Sequence, residues 1–280
     1  MLTYPNIDPV FVSIGPVNLH WYGLMYLVGF VGGWWLGRLR ADAPGSGWNR
    51  EQIDDLLFYM VLGIVLGGRL GYILFYGFQD LLRDPLVLFK VWEGGMSFHG
   101  GLLGVMIAMW LFGRKTQRGF FASTDFVAPL VPVGLCAGRI GNFINGELWG
   151  GPTTLPWGMQ VSCDRFGQLC MDKLGLHPGA AMTPPLHPTQ LYEAALEGVV
   201  LFLLLWLYAS RPRPVMAVSG FFLVGYGVFR FVVEFARMPD AHIGYLAFGW
   251  LTMGQLLTLP MLIGGSLLMA AAYKRNERIG

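Results

Sequence analysis

Residues 217–236 read AVSGFFLVGYGVFRFVVEFA. A helix of about twenty residues spans about 30 Å, the thickness of the hydrocarbon core of a bilayer. Only Arg230 and Glu234 carry charge in this run. A charge at that depth is expensive and needs a reason. With Arg237 just beyond, the three lie at i, i+4 and i+7, on one helical stripe. Glu234 can pair with both arginines and leave donors of each free. A purely structural ion-pair network is the alternative reading of the same spacing.

Six further apolar blocks resemble this one. They cover 19–37, 56–78, 96–113, 124–143, 191–209 and 247–272. Together they predict an all-α polytopic membrane protein with about seven transmembrane helices. Composition agrees: 54% of the 280 residues are apolar and 13% charged, where a soluble domain carries roughly a quarter charged. Residues 1–280 read as a single membrane domain. Segment 148–190, rich in Pro and Gly, is too long for a plain connector and reads as a small head inserted between helices four and five. Stripes of small residues at spacing four, such as Gly63, Gly67 and Gly71 or Gly100 and Gly104, suit close helix packing in lipid. Some of the 40 glycines have a second reading, in which they clear space for a lipid or bring backbone N–H groups near a phosphate.

The first 37 residues lack Lys and Arg, so the basic start of a cleaved signal peptide is missing and the first span is expected to be retained. Alternate connections hold Arg38, Arg40 and Arg50; Arg114, Lys115 and Arg118; Arg211 and Arg213; and Lys274, Arg275 and Arg278, eleven in all. The opposite side holds five: Arg83, Lys90, Arg165, Lys173 and Arg237. The positive-inside rule puts the first group in the cytoplasm. The N-terminus and 144–190 then face outward, and the C-terminus faces inward. Arg69, Arg139 and Arg230 lie within the spans. Arg69 reads as either support for a site or a snorkelling residue.

Several motifs gather near the outer level. The fourth block ends Gly138-Arg139-Ile140-Gly141-Asn142-Phe143-Ile144-Asn145-Gly146-Glu147-Leu148-Trp149-Gly150. Asn145 and Gly146 can be a helix cap, which leaves Arg139 and Asn142 unexplained. His99 stands in Ser97-Phe98-His99-Gly100-Gly101, as a hydrogen-bonded structural residue or as a proton acceptor. Tyr22 opens the first span, where an interfacial aromatic belt is the alternative. His187-Pro188-Thr189-Gln190-Leu191-Tyr192-Glu193 opens the fifth, and Pro188 and Glu193 also make sense as helix-start residues. Arginines with amide and hydroxyl donors form a site for an anion, and guanidinium geometry suits phosphate. In a membrane the abundant anion with a long apolar body is a phospholipid.

Other chemistries find no support. The five His show no metal-ligand spacing, and no nucleotide loop or Gly-x-Ser-x-Gly nucleophile is present. Apolar-flanked Cys136 reads as inert. A net charge of +2, with no basic block, points away from nucleic acid. A transporter for a lipidic anion and a structural scaffold remain as rival classes. A transporter would carry polar residues through to the cytoplasmic side, and a scaffold has no need of an Arg-Glu-Arg stripe.

The run from Gly138 to Gly150 closely resembles the signature of bacterial prolipoprotein diacylglyceryl transferases. So do Ser97 to Gly101, His187 to Glu193, and Arg230 to Asp240, in the family's order. The resemblance implies a multi-pass enzyme of the bacterial inner membrane, with its active site toward the periplasm and no cofactor. Its partners would be phosphatidylglycerol and preprolipoprotein signal peptides bearing a lipobox cysteine. The implied reaction moves the sn-1,2-diacylglyceryl group to that thiol, forms a thioether and releases glycerol phosphate, the first step of lipoprotein maturation. Carried over by position, the catalytic residues would be His99, Arg139 and Arg230. Tyr22, Asn142, Glu147, Gly150, Glu234 and Arg237 would bind substrate. The outward segment then lies in an oxidising compartment, so Cys163 and Cys170 are expected to pair; two free thiols are the alternative. The eleven-to-five bias predicts that a C-terminal alkaline phosphatase fusion is inactive in intact cells, and an active fusion would reverse the assigned topology.

Overall fold

The computed structural model describes residues 2–5, 7–15, 17–90, 94–177, 179–239 and 244–275. Asp240, the end of one family-like stretch, and Arg278, one of the basic residues above, lie outside the described residues. The fold is mostly helical. By its internal contacts it divides into two compact units. One comprises Met1–Gly33 and Ala128–Glu277, the other Trp34–Val127.

Ten α-helices are described: α1 (Trp21–Ala41), α2 (Arg50–Phe75), α3 (Phe78–Arg83), α4 (Phe98–Lys115), α5 (Phe120–Val127), α6 (Val131–Asn145), α7 (Thr189–Glu193), α8 (Leu201–Ala209), α9 (Ala217–Glu234) and α10 (Met253–Arg275). A π-helical turn, Ala194–Val200, joins α7 to α8 in one continuous rod. Four rods are long and apolar enough to cross a membrane: α2, Thr189–Ala209, α9 and α10. A fifth arises if α5 and α6 form one bent span. Pro129 and Pro132 stand at that bend, where each removes a backbone N–H. The seven apolar blocks of the sequence match these five plus α1 and α4. Trp, Tyr and Gly dilute the hydropathy of α1, and α4 ends on Arg114 and Lys115. Both still show bare apolar faces, with Leu27, Val31 and Trp35 on α1 and Leu103, Ile107 and Leu111 on α4 between 45% and 58% exposed.

Within the second unit, α2 and α4 pack backbone to backbone. A Cβ added at Gly71 would lie 2.8 Å from the Gly100 Cα, and one at Gly67 would lie 2.9 Å from the Gly104 Cα. Only glycine fits such a seam, and the gain is dispersion contact along both helices. Arg69, on α2, is 4% exposed. It donates to the carbonyls of Val87, Gly94 and Gly95. Its guanidinium thus ties down the connection after α3 and the 3₁₀ turn Pro85–Phe89. It is a staple for three carbonyls rather than a snorkelling group.

Within the first unit, the segment after α6 has its own small core of Tyr4, Trp149, Val161 and Leu186. Strand β1 (Leu2–Thr3) pairs in parallel with a strand at Met159–Gln160, so the N-terminal residues pack with the segment after α6. The structure joins Cys163 to Cys170, with Cα atoms 5.8 Å apart. A hairpin, Val10–Ile14 with Val17–His20, leads into α1. Helix α6 ends on Gly146 at φ 71°, the left-handed conformation that suits glycine as a C-cap. The Tyr4 hydroxyl donates to the last carbonyls of α6, those of Phe143 and Ile144, at 2.7 Å each. Burial raises the pKa of that hydroxyl, which keeps it a donor.

The glycine seam predicts the effect of filling it. Gly67→Leu or Gly104→Leu should destabilise the protein by about 1–3 kcal/mol or more, as overpacking does in well-packed cores. Gly33→Ala, where nothing lies within 4 Å, should not. Thermal unfolding in detergent reads the difference.

Candidate active site

Three elements of the first unit meet at a buried cluster of charge. Helix α6 supplies Arg139, the α7 rod supplies Glu193 and Glu197, and α9 with the turn after it supplies Arg230, Glu234 and Arg237. The approach of α6 to the π turn is close because Gly198 has no side chain: a Cβ there would lie 2.9 Å from the Cys136 Cα. Arg139, three residues past Cys136, comes within reach of the two glutamates by this route. A π turn inside a longer helix is rare and recurs at functional sites.

Glu193 is the hub. Its side chain is fully buried, and its two oxygens contact three arginines. Arg139 Nε lies 2.9 Å from Oε2 and Arg237 Nη1 lies 2.7 Å from Oε1. Arg230 Nη1 donates to the same Oε1. Glu234 lies 3.0 Å from Arg230 Nη2 and 3.4 Å from Arg237 Nε, and accepts from the Thr252 hydroxyl at 3.0 Å. Gly254 makes room for that carboxylate, since a Cβ there would overlap it. Glu197, also fully buried, stands 3.8 Å from Arg139 and 3.9 Å from Arg230.

The burial is unequal. The side chains of Glu193, Glu197 and Glu234 are 0%, 0% and 7% exposed, whereas those of Arg139, Arg230 and Arg237 are 21%, 16% and 16% exposed. The acids are sealed, and the arginines keep part of their surface. Such an arrangement holds planar donors ready for an oxyanion.

A family model described as prolipoprotein diacylglyceryl transferase matches residues 9–271. The chain is 56% identical over 279 residues to the phosphatidylglycerol–prolipoprotein diacylglyceryl transferase of Azotobacter vinelandii, covering 100% of this chain and 99% of that one. It is 57% identical over 278 residues to the protein of the same name from Oleidesulfovibrio alaskensis, covering 99% and 98%. The chain belongs to the prolipoprotein diacylglyceryl transferase family.

The other residues singled out for this family fall into two places. Tyr22, Asn142, Glu147 and Gly150 are in the first unit, around the C-terminal end of α6. Gly141 gives the Tyr22 ring its place: a Cβ there would come within 3.0 Å of it. Tyr22 shares a hydroxyl contact of 3.2 Å with Tyr26. Asn142 is 7% exposed and its amide donates to Glu147 at 3.2 Å, as does that of Asn145 at 3.3 Å. Gln190, fully buried, donates to the Glu147 carbonyl. Gly150 has a packing reason. A side chain there would meet the His187 Cβ at 2.8 Å, and the backbone of 150–151 bridges that of 236–237. Gly150 thereby helps to fix Arg237. His99 is in the second unit, exposed in the first turn of α4, after Ser97 caps the helix by accepting from Gly100 N.

His187 lies at the foot of α7. Trp157 donates to the Tyr192 hydroxyl at 2.7 Å, and that hydroxyl lies 3.1 Å from His187 Nδ1. Burial lowers the His187 pKa, which favours the neutral ring. Glu193 and Glu197 are the residues that reading the sequence did not assign to the site. Glu193 looked like a helix-start acid. The signal available was a pair of acids four apart inside an apolar rod, the counterpart of Arg230 and Glu234.

Glu193→Ala should cost about 3–5 kcal/mol of stability, the usual penalty for leaving buried charges without their partner. Unfolding measured beside Glu51→Ala, on an exposed first turn, provides the comparison. An equal shift for both would refute the hub role.

Proposed function

We propose that the arginine cluster holds the phosphate of phosphatidylglycerol while the thiol of a lipobox cysteine displaces it. The reaction is the family's: the sn-1,2-diacylglyceryl group passes to the preprolipoprotein thiol, a thioether forms, and glycerol phosphate leaves. The observation that carries the reading is the convergence of three arginines on the sealed carboxylate of Glu193, with each arginine still partly exposed.

The chemistry follows from charge. The thiolate sulfur attacks the glycerol carbon that bears the phosphate ester, and the carbon–oxygen bond breaks with its electron pair going to the phosphate oxygen. Arg139 and Arg230, with Arg237 in support, stabilise that growing charge in a low-dielectric pocket. A donor of this kind typically lowers a barrier by about 3–4 kcal/mol. Tyr22, Asn142, Glu147, Gly150 and Glu234 shape the lipid-binding side. A free thiol has a pKa of about 8.5 and is mostly protonated at neutral pH. His99 takes its proton as a general base and returns it to water.

The bilayer setting completes the proposal. The five candidate spans, with α1 and α4, make seven crossings, because the bare apolar faces of α1 and α4 suit lipid better than water. The chain then works as one membrane domain in the bacterial inner membrane, with residues 148–190 as a periplasmic head. The basic residues favour a periplasmic N-terminus and a cytoplasmic C-terminus.

Initial rates with phosphatidylglycerol and a lipobox peptide, from neutral pH to about 9.5, separate the roles around the thiol pKa. His99→Gln should lose about 10²–10⁴-fold at neutral pH and recover as pH rises, since hydroxide then makes the thiolate. Arg139→Gln should show almost no turnover and no recovery, and Arg230→Lys should rescue poorly because an ammonium lacks the planar fork. Wild-type rates for His99→Gln throughout would remove His99 as the base. Near-normal turnover in the lysine variant would remove the bidentate clamp.

A further inference from the structure

Glu197 is the outlier of the cluster. It is fully buried, yet neither carboxylate oxygen has a hydrogen bond. Among the described residues its ion pairs are the long ones to Arg139, 3.8 Å, and Arg230, 3.9 Å. Buried acceptors in native proteins are nearly always bonded, and an exception asks for a reason.

The groups facing Glu197 come from three directions. Helix α6 presents Arg139 and Cys136, the latter packed on neighbouring Gly198. Helix α9 presents Arg230 and Tyr226, with Arg237 beyond its end. Its own rod presents Glu193, which already fills the short contact to Arg139 and the shared one to Arg230 and Arg237. Glu197 is thus a reserve counter-ion, close enough to attract both arginines and too far to hold them.

We propose that Glu197 is a positioning residue that acts through Arg139 and Arg230. It withholds part of their charge from the lipid phosphate and takes them back when glycerol phosphate must leave. This rests on the reading that phosphate sits on those arginines. The substrate is a phosphodiester with one negative charge. The product is a phosphomonoester with up to two, which binds a pair of arginines more tightly. With three acids behind three arginines, the formal charge of the cluster is zero, so a doubly charged product is not trapped. Without Glu197 the cluster has one positive charge to spare. Substrate then binds better and product departs more slowly.

The test is steady-state kinetics with phosphatidylglycerol and a lipobox peptide, together with calorimetric binding of glycerol phosphate to the full-length protein. Glu197→Gln should lower KM for the lipid, lower kcat, and tighten glycerol phosphate binding by about tenfold or more, because a like charge near the phosphate is removed. Glu197→Asp, with its carboxylate drawn back from the arginines, should fall between wild type and Glu197→Gln. It decides the matter if the glutamine variant does not fold. A merely structural residue would reduce activity without tightening product binding, and unchanged or weaker binding in both variants overturns the proposal. Arg139→Gln in the same calorimeter separates the two readings. If it weakens glycerol phosphate binding while the Glu197 variants leave it alone, only the role of Glu197 fails. If Arg139→Gln changes nothing, the phosphate site itself is wrong and this proposal falls with it.

Discussion

The balance of charge around Glu193 is the constraint on which the rest depends. Three guanidiniums in an apolar environment repel one another and lose their hydration. They are tolerable only because one fully buried carboxylate contacts all three and two more stand close. Such networks rarely add stability over an apolar core, and breaking one partner is costly. Their value lies in fixing geometry. Here the geometry gathers three arginines around one sealed carboxylate while leaving each of them partly exposed.

The helical scaffold serves that arrangement through small residues. Gly198 brings the α7 rod against α6, and Gly254 leaves space for the Glu234 carboxylate. Gly220 and Gly265 let α9 and α10 run close, each Cβ position being 2.7 Å from the other's carbonyl oxygen. In water, apolar burial would hold such helices together; in lipid, close packing has to do so. The glycines are as much a part of the site as the charges they bring together.

Much of this was legible in the sequence. Arg139, Arg230, Glu234 and Arg237 announced themselves because ionised side chains stand out in an apolar run, and their spacing placed three of them on one stripe. The apolar blocks gave the helices to within a few residues. What could not be read depended on contacts between distant segments. Glu193 sits where a helix-start acid is ordinary, and nothing local marks the π turn that follows it. Arg69 read as either support for a site or a snorkelling residue, because its three carbonyl partners lie 18 to 26 residues away. The two-residue strand at Leu2–Thr3 has no pattern of its own and forms only because Met159–Gln160 is there to receive it.

The bond from Tyr4 to the end of α6 joins residues 139 and 140 apart in the chain. Both ends of such a bond must emerge on the same face of a bilayer, so the chain between them crosses an even number of times. Helix α2 and the α5–α6 pair account for two crossings if each passes once. Parity then ties α1 to α4: either both cross or neither does. A hydroxyl group near the start of the chain thus counts the helices that follow it.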